Sequence, residues 1–144
     1  MAESTRTLTL TRTAPGMLVA TNVRGGTMPV ASGGAEAGPE FTPIELLLAA
    51  IGGCTALDVE AITGKRADPD SFEVQVDAEK IRDEAGANRL TDIVVTFRVA
   101  FPDGDDGDAA RAVLPDAVTK SHDRLCTVSR TVELGTAIAS RIET

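Results

Sequence analysis

The chain has 144 residues, a formal net charge of −8 and an apolar fraction of 42%, with aromatics at only 3%. That length supports a single domain, 1–144, with a real hydrophobic core, and not two. The acidic balance argues against nucleic acid and anionic membrane surfaces as partners; with no Trp, no Tyr and four Phe, stacking on bases or sugar rings is poorly supplied.

From Thr5 to Ala14 the residues alternate, Leu8 and Leu10 facing one way and Thr7, Thr9 and Thr11 the other, which predicts a half-buried strand. Ala14-Pro15-Gly16 is a turn, Met17 to Val23 the returning strand, and Arg24-Gly25-Gly26 a second turn before a short strand from Thr27 to Ala31. Ser32 to Glu40 reads as a glycine-rich loop. Thr42 as N-cap, Pro43 at the first helical position and Glu45 as the capping partner then open a helix running to Thr63 and stopping at Gly64. It is apolar nearly all round through Leu57, the pattern of a buried central helix.

Asp68-Pro69-Asp70 breaks the chain again. Ser71 to Ile81 alternates with Phe72, Val74, Val76 and Ala78 on one face. After a turn over Asp83 to Asn88, Arg89 to Phe101 is a long strand with Ile93, Val95, Phe97 and Val99 on one side. Pro102 to Asp108 is an acidic turn capping a second helix, Ala109 to Leu125, which Pro115 should kink or divide. Thr131 to Ile142 is predicted as the last strand.

Antiparallel strands interrupted by two helices make an α+β domain, a helix lying against an antiparallel sheet. One sheet cannot cover a long helix that is apolar on every face. A homodimer with interlocked protomers would bury the remainder. Met1 to Arg6 lacks the apolar core of a secretory signal, and the apolar run around residues 44 to 57 is short and glycine-interrupted for a bilayer span. The expectation is a cytoplasmic protein without membrane association.

Chemistry concentrates on the two cysteines. Cys54 follows Gly52-Gly53 inside the apolar helix, and Cys126 follows a charged segment, Ser121-His122-Asp123-Arg124-Leu125. In a reducing compartment such a pair is reactive or metal-binding more readily than a permanent staple. One His and two distant Cys do not supply four zinc ligands at motif spacing, so a zinc site is not expected.

A thiol must become a thiolate to attack, and an apolar helix interior raises its pKa. Cys54 lies about three turns from the helix N-terminus, beyond the reach of the dipole. It therefore needs a cation from elsewhere. Arg24, in its flexible Arg-Gly-Gly turn, is the candidate, against the simpler reading of a solvated arginine. Gly52 and Gly53 each destabilise a helix by roughly 1 kcal/mol relative to Ala, a cost that points to close approach of a substrate or a partner helix and that tight helix packing alone explains equally well. His122, one turn before Cys126, is either a base or a histidine favouring the helix dipole. No Ser/His/Asp arrangement supports a serine hydrolase.

The segment Pro43-Ile44-Glu45-Leu46-Leu47-Leu48-Ala49-Ala50-Ile51-Gly52-Gly53-Cys54-Thr55-Ala56-Leu57-Asp58-Val59, the later Leu125-Cys126-Thr127-Val128-Ser129 and the Gly33-to-Pro39 loop resemble the OsmC/Ohr family, the osmotically inducible and organic hydroperoxide resistance proteins. The resemblance implies an OsmC-like fold in an intertwined homodimer, with a peroxidatic cysteine at Cys54 and a resolving cysteine at Cys126. It implies reduction of organic hydroperoxides in oxidative-stress defence, reset by a dithiol such as a lipoyl group and needing no metal or tightly bound cofactor. An arginine and a glutamate activate the thiolate in that family. Arg24 and Glu45 are the matching candidates, although Ile44 directly follows Pro43 where the family peroxidases carry the glutamate, so Glu45 is shifted about 100° around the helix. That departure resembles the OsmC-like branch. Two other classes stay open: a non-enzymatic dimer binding a small apolar ligand, and a cysteine-based sulfur or acyl transfer.

Overall fold

A computed structural model describes residues 4–35 and 37–144. Met1–Glu3, part of the segment read for a signal, and Glu36 of the glycine-rich loop lie outside the described residues. The chain divides into two compact units, Met1–Leu47 and Leu48–Thr144.

The first unit holds three strands, β1 (Leu8–Ala14), β2 (Met17–Asn22) and β3 (Thr27–Ala31), in an antiparallel sheet of order β1-β2-β3. Leu10 sits opposite Ala20, and Val19 opposite Pro29. Ala20, Val30 and Ala31 are buried. Leu8 and Leu10 are not: at 57% and 52% exposure they correct the expectation of a half-buried first strand. β1 is an edge strand whose apolar side chains remain uncovered in the single chain. The β2–β3 turn is tied by Asn22, whose Oδ1 accepts from the amides of Arg24 and Gly26, both at 2.9 Å. Gly25, at φ +86°, supplies the left-handed residue that this turn requires.

Helix α1 (Pro43–Thr63) starts and stops where the sequence predicts. Its capping box is complete: the Thr42 amide donates to Glu45 Oε1 at 2.9 Å, and the Glu45 amide donates to Thr42 Oγ1 at 3.3 Å. By length and composition α1 could cross a membrane (21 residues, mean hydropathy 1.6), longer than the apolar run counted in the sequence. One face, however, is committed to protein packing through Ile51, Gly52, Thr55, Val59 and Thr63. Leu57 on another face is 67% exposed, so α1 is half-covered rather than buried on all sides.

Within the second unit, β4 (Ser71–Arg82) and β5 (Asn88–Ala100) form an antiparallel pair. Their alternation is as predicted, with Phe72, Val74 and Val76 shielded and Glu73 and Gln75 exposed. α1 lies on β4 at Gly52, where a Cβ would stand 2.5 Å from Val76 Cγ2. The ladder shifts register between Asp77 and Glu79, opposite Asp92, which takes φ +51°. One extra residue on β5 makes this a bulge, and aspartate tolerates the left-handed conformation better than most residues.

α2 (Asp105–Lys120) begins earlier than expected, with Asp105, Asp106 and Asp108 in its first turn, where the helix dipole favours them. Pro115 lies inside it without dividing it. A π turn, Ser121–Leu125, follows and is closed by the Cys126 amide on Ser121 O at 2.8 Å.

The predicted last strand, Thr131 to Ile142, is absent: α3 (Thr127–Glu133) takes its first three residues, and residues 136–144 are irregular. Val128 and Val132, four apart, suit a helical face, and Gly135 at φ +65° stops the helix. The Gly135 amide bonds Val132 O and the Thr136 amide bonds Thr131 O, a Schellman termination. The observed order is βββ-α-ββ-α-π-α, an α+β architecture with antiparallel sheets.

Candidate active site

Two cysteines far apart in sequence meet in the second unit. Cys54 projects from the middle of α1, and the π turn delivers Cys126 to the start of α3. Cys54 Sγ, Cys126 Sγ and a carboxylate oxygen of Asp58 lie within 4.8 Å of one another. Asp58 follows Cys54 by four residues, one helical turn, so both side chains leave the same face of α1. Both thiols are free; Cys54 is partly exposed and Cys126 is fully buried.

A buried hydroxyl relay holds the carboxylate. Ser121 Oγ donates to Asp58 Oδ2 at 2.8 Å. Ser121 has one hydroxyl hydrogen, so its 2.8 Å contact with Thr55 Oγ1 is a bond donated by Thr55. On the other side, Cys126 Sγ accepts from the Ser129 amide at 3.4 Å and lies 3.2 Å from Ser129 Oγ.

These surroundings separate the two thiols. Burial pushes the Cys54 thiol up against the downward pull of the Val128 amide, and the Cys126 sulfur and the Asp58 charge push it further up. Cys126 also feels burial, but the Ser129 hydroxyl, the Ser129 amide and the Cys54 thiol together bring it below the ordinary value.

Arg24 and Glu45 belong to the first unit. Arg24 lies exposed in the β2–β3 turn. Glu45 occupies the capping box, where the Thr42 amide and hydroxyl lower its pKa. His122 is not directed at a sulfur: Nδ1 meets Asp123 Oδ1 and Nε2 meets Glu133 Oε1, both at 2.8 Å. Sequence reasoning missed Asp58, Ser121 and Thr55. The one signal available was the four-residue spacing of Cys54 and Asp58.

A cavity of about 570 Å³ in this unit is walled by Ile51, Val95, Phe97, Val118 and Val132, with neither cysteine in its lining. Ser129, one hydrogen bond from Cys126, and Thr55, two from Asp58 by way of Ser121, form part of its lining. Asp92 of the bulge and His122 add polar edges.

The family model described as OsmC-like protein matches residues 33–141. No curated protein matches the chain. Among solved structures, one chain titled only as structural genomics is 27% identical, with 89% of each chain covered and a TM-score of 0.71. An OsmC-like protein of unknown function from Vibrio cholerae is 16% identical over 90% of this chain and 94% of that one, with a TM-score of 0.74. The organic hydroperoxide resistance protein OhrB of Bacillus subtilis is 20% identical over 90% and 92%, with a TM-score of 0.55.

Proposed function

We propose that this chain, which belongs to the OsmC family, is a single OsmC-like domain over 1–144 that reduces organic hydroperoxides through a cysteine pair in the cytoplasm. The observation that carries the proposal is the meeting of Cys54 and Cys126 across the fold, sulfur within 4.8 Å of sulfur.

Access and acidity divide the work. A hydroperoxide can reach the partly exposed Cys54, whereas fully buried Cys126 reaches little besides Cys54. Cys54 sulfur attacks the distal peroxide oxygen and the O–O bond breaks. The thiol proton passes to the departing alkoxide, leaving an alcohol and a Cys54 sulfenic acid. Cys126, already inclined to ionise, attacks that sulfur; a disulfide forms and water leaves. An external dithiol such as a lipoyl group then reduces the disulfide and is itself oxidised to a disulfide. The apolar walls of the 570 Å³ cavity suit an organic substituent.

Arg24 is assigned to steady negative charge on the Cys54 sulfur, since burial, Cys126 and Asp58 all raise its pKa. Glu45 keeps a weaker role, positioning Arg24, because its carboxylate is engaged with Thr42. An intertwined homodimer would cover the exposed side of α1, where Leu57 and the open space at Gly53 await a partner.

Mass spectrometry of the reduced protein after stoichiometric cumene hydroperoxide tests the reading. The expected result is rapid loss of two hydrogens, absent in Cys54→Ser, with Cys126→Ser stopping at a trappable sulfenic acid. Thiols that stay reduced would overturn it and favour a dimer that binds a small apolar ligand in the same cavity.

A further inference from the structure

Three ligand-type side chains converge where sequence spacing offered only two cysteines and a histidine. His122 turns away to Asp123 and Glu133, and Asp58 takes the place beside the sulfurs. We propose that Cys54, Asp58 and Cys126 form a three-ligand site for a zinc-class divalent cation, with the fourth coordination position open.

The geometry is close to what such an ion requires. Zinc bonds of about 2.3 Å to sulfur and about 2.0–2.2 Å to oxygen place tetrahedral ligand atoms roughly 3.6–3.8 Å apart. The three donor atoms already lie within 4.8 Å of one another, so side-chain rotations of about 1 Å or less close the set. Two sulfur donors select zinc over magnesium or calcium, which take oxygen ligands.

The supporting shell is in place as well. Ligating carboxylates are characteristically held by a second hydrogen bond. Asp58 Oδ2 accepts from Ser121, itself fixed by Thr55, while Oδ1 accepts no hydrogen bond from the described residues. Ser129 fixes the Cys126 sulfur from the far side. Among the described residues no lysine or arginine is hydrogen-bonded or ion-paired to Cys54, Asp58 or Cys126.

The site does not rest on the peroxidase reading: the ion and the disulfide use the same two sulfurs and exclude each other, and the site is tested without hydroperoxide. Reduced, metal-free, full-length protein is titrated with Co²⁺ and then with Zn²⁺. The expected result is sulfur-to-cobalt charge transfer in the near ultraviolet at one ion per chain, erased by zinc. Asp58→Asn should weaken binding tenfold or more and Ser121→Ala about tenfold, while Cys54→Ser should lose about half the charge-transfer intensity. Circular dichroism checks that each variant folds. Absence of charge transfer in the wild type overturns the site. So does a cobalt spectrum and affinity unchanged in folded Asp58→Asn. Cys54→Ser, altered at a partly exposed position, keeps the test decisive if Asp58→Asn does not fold.

Discussion

Ser121 Oγ donates to Asp58 Oδ2 at 2.8 Å, joining the π turn after α2 to the cysteine face of α1. Ser121 is fully buried and also accepts from Thr55, so its removal strands two polar partners at once. Leaving buried groups unsatisfied costs about 1–3 kcal/mol. Ser121→Ala should therefore lower unfolding stability by about that amount in urea, with an unchanged denaturant slope. Thr55→Val removes a donor while Ser121 still serves Asp58. Its cost should stay near 0.5–1.5 kcal/mol, and equal losses in the two variants would show that the relay does not run in this direction.

Gly52 and Gly53, adjacent in sequence, should respond oppositely to alanine. Either substitution gains up to about 1 kcal/mol of helix propensity. At Gly52 the new methyl meets Val76 Cγ2 at 2.5 Å, and overpacking of that kind costs about 1–3 kcal/mol. Gly52→Ala should be net destabilising, and less so beside Val76→Ala than simple additivity requires. At Gly53 a Cβ meets nothing within 4 Å. Gly53→Ala should stabilise the dilute chain yet weaken the proposed self-association, seen in sedimentation as a raised dissociation constant for the proposed dimer. An unchanged constant would remove this face of α1 from the dimer interface.

The helix that carries Cys54 was legible because its signals are local: Thr42, Pro43 and Glu45 at one end and Gly64 at the other fix its limits. The β4–β5 alternation was legible for the same reason. The last strand was misread because Val132, Leu134 and Ile138 fall on one face at a period of two; Gly135, two residues after Glu133, was the signal that distinguishes a helix ending there. Asp58, Ser121 and Thr55 were hidden for a different reason. Their partnership crosses more than sixty residues of chain, and no local pattern encodes which helix face meets the π turn. Buried placement of Leu8 and Leu10 failed because alternation reports a face that can be covered, not one that a single chain covers.

Joining Cys54 to Cys126 would tie the middle of α1 to the start of α3. A cross-link over a long loop restricts the unfolded ensemble and contributes about 2–4 kcal/mol. The oxidised protein should unfold at correspondingly higher urea concentration than the reduced one, and dithiothreitol should reverse the difference. Cys54→Ser should show no response to either treatment. An oxidised form less stable than the reduced form would mean that disulfide closure strains α1 or the π turn enough to outweigh the entropic gain.

His122 clamps the π turn to the end of α3, through Asp123 on one nitrogen and Glu133 on the other. Those two hydrogen bonds, with the charge of Glu133, raise its pKa above the ordinary value near 6.5. A group whose folded pKa is raised contributes fully below its unfolded pKa, and the contribution is lost as pH rises through the folded value. Stability should thus decline as pH climbs upward from about 6.5, by a small amount because the imidazole is 58% exposed and screened by solvent. His122→Gln should flatten that part of the profile, and Glu133→Gln should shift the imidazole titration downward in NMR. The same loosening should speed amide exchange in α3, whose first turn holds Ser129 against Cys126. A titration in Glu133→Gln matching that of the wild type would leave Asp123 alone as the partner that matters, and α3 would then be insensitive to pH.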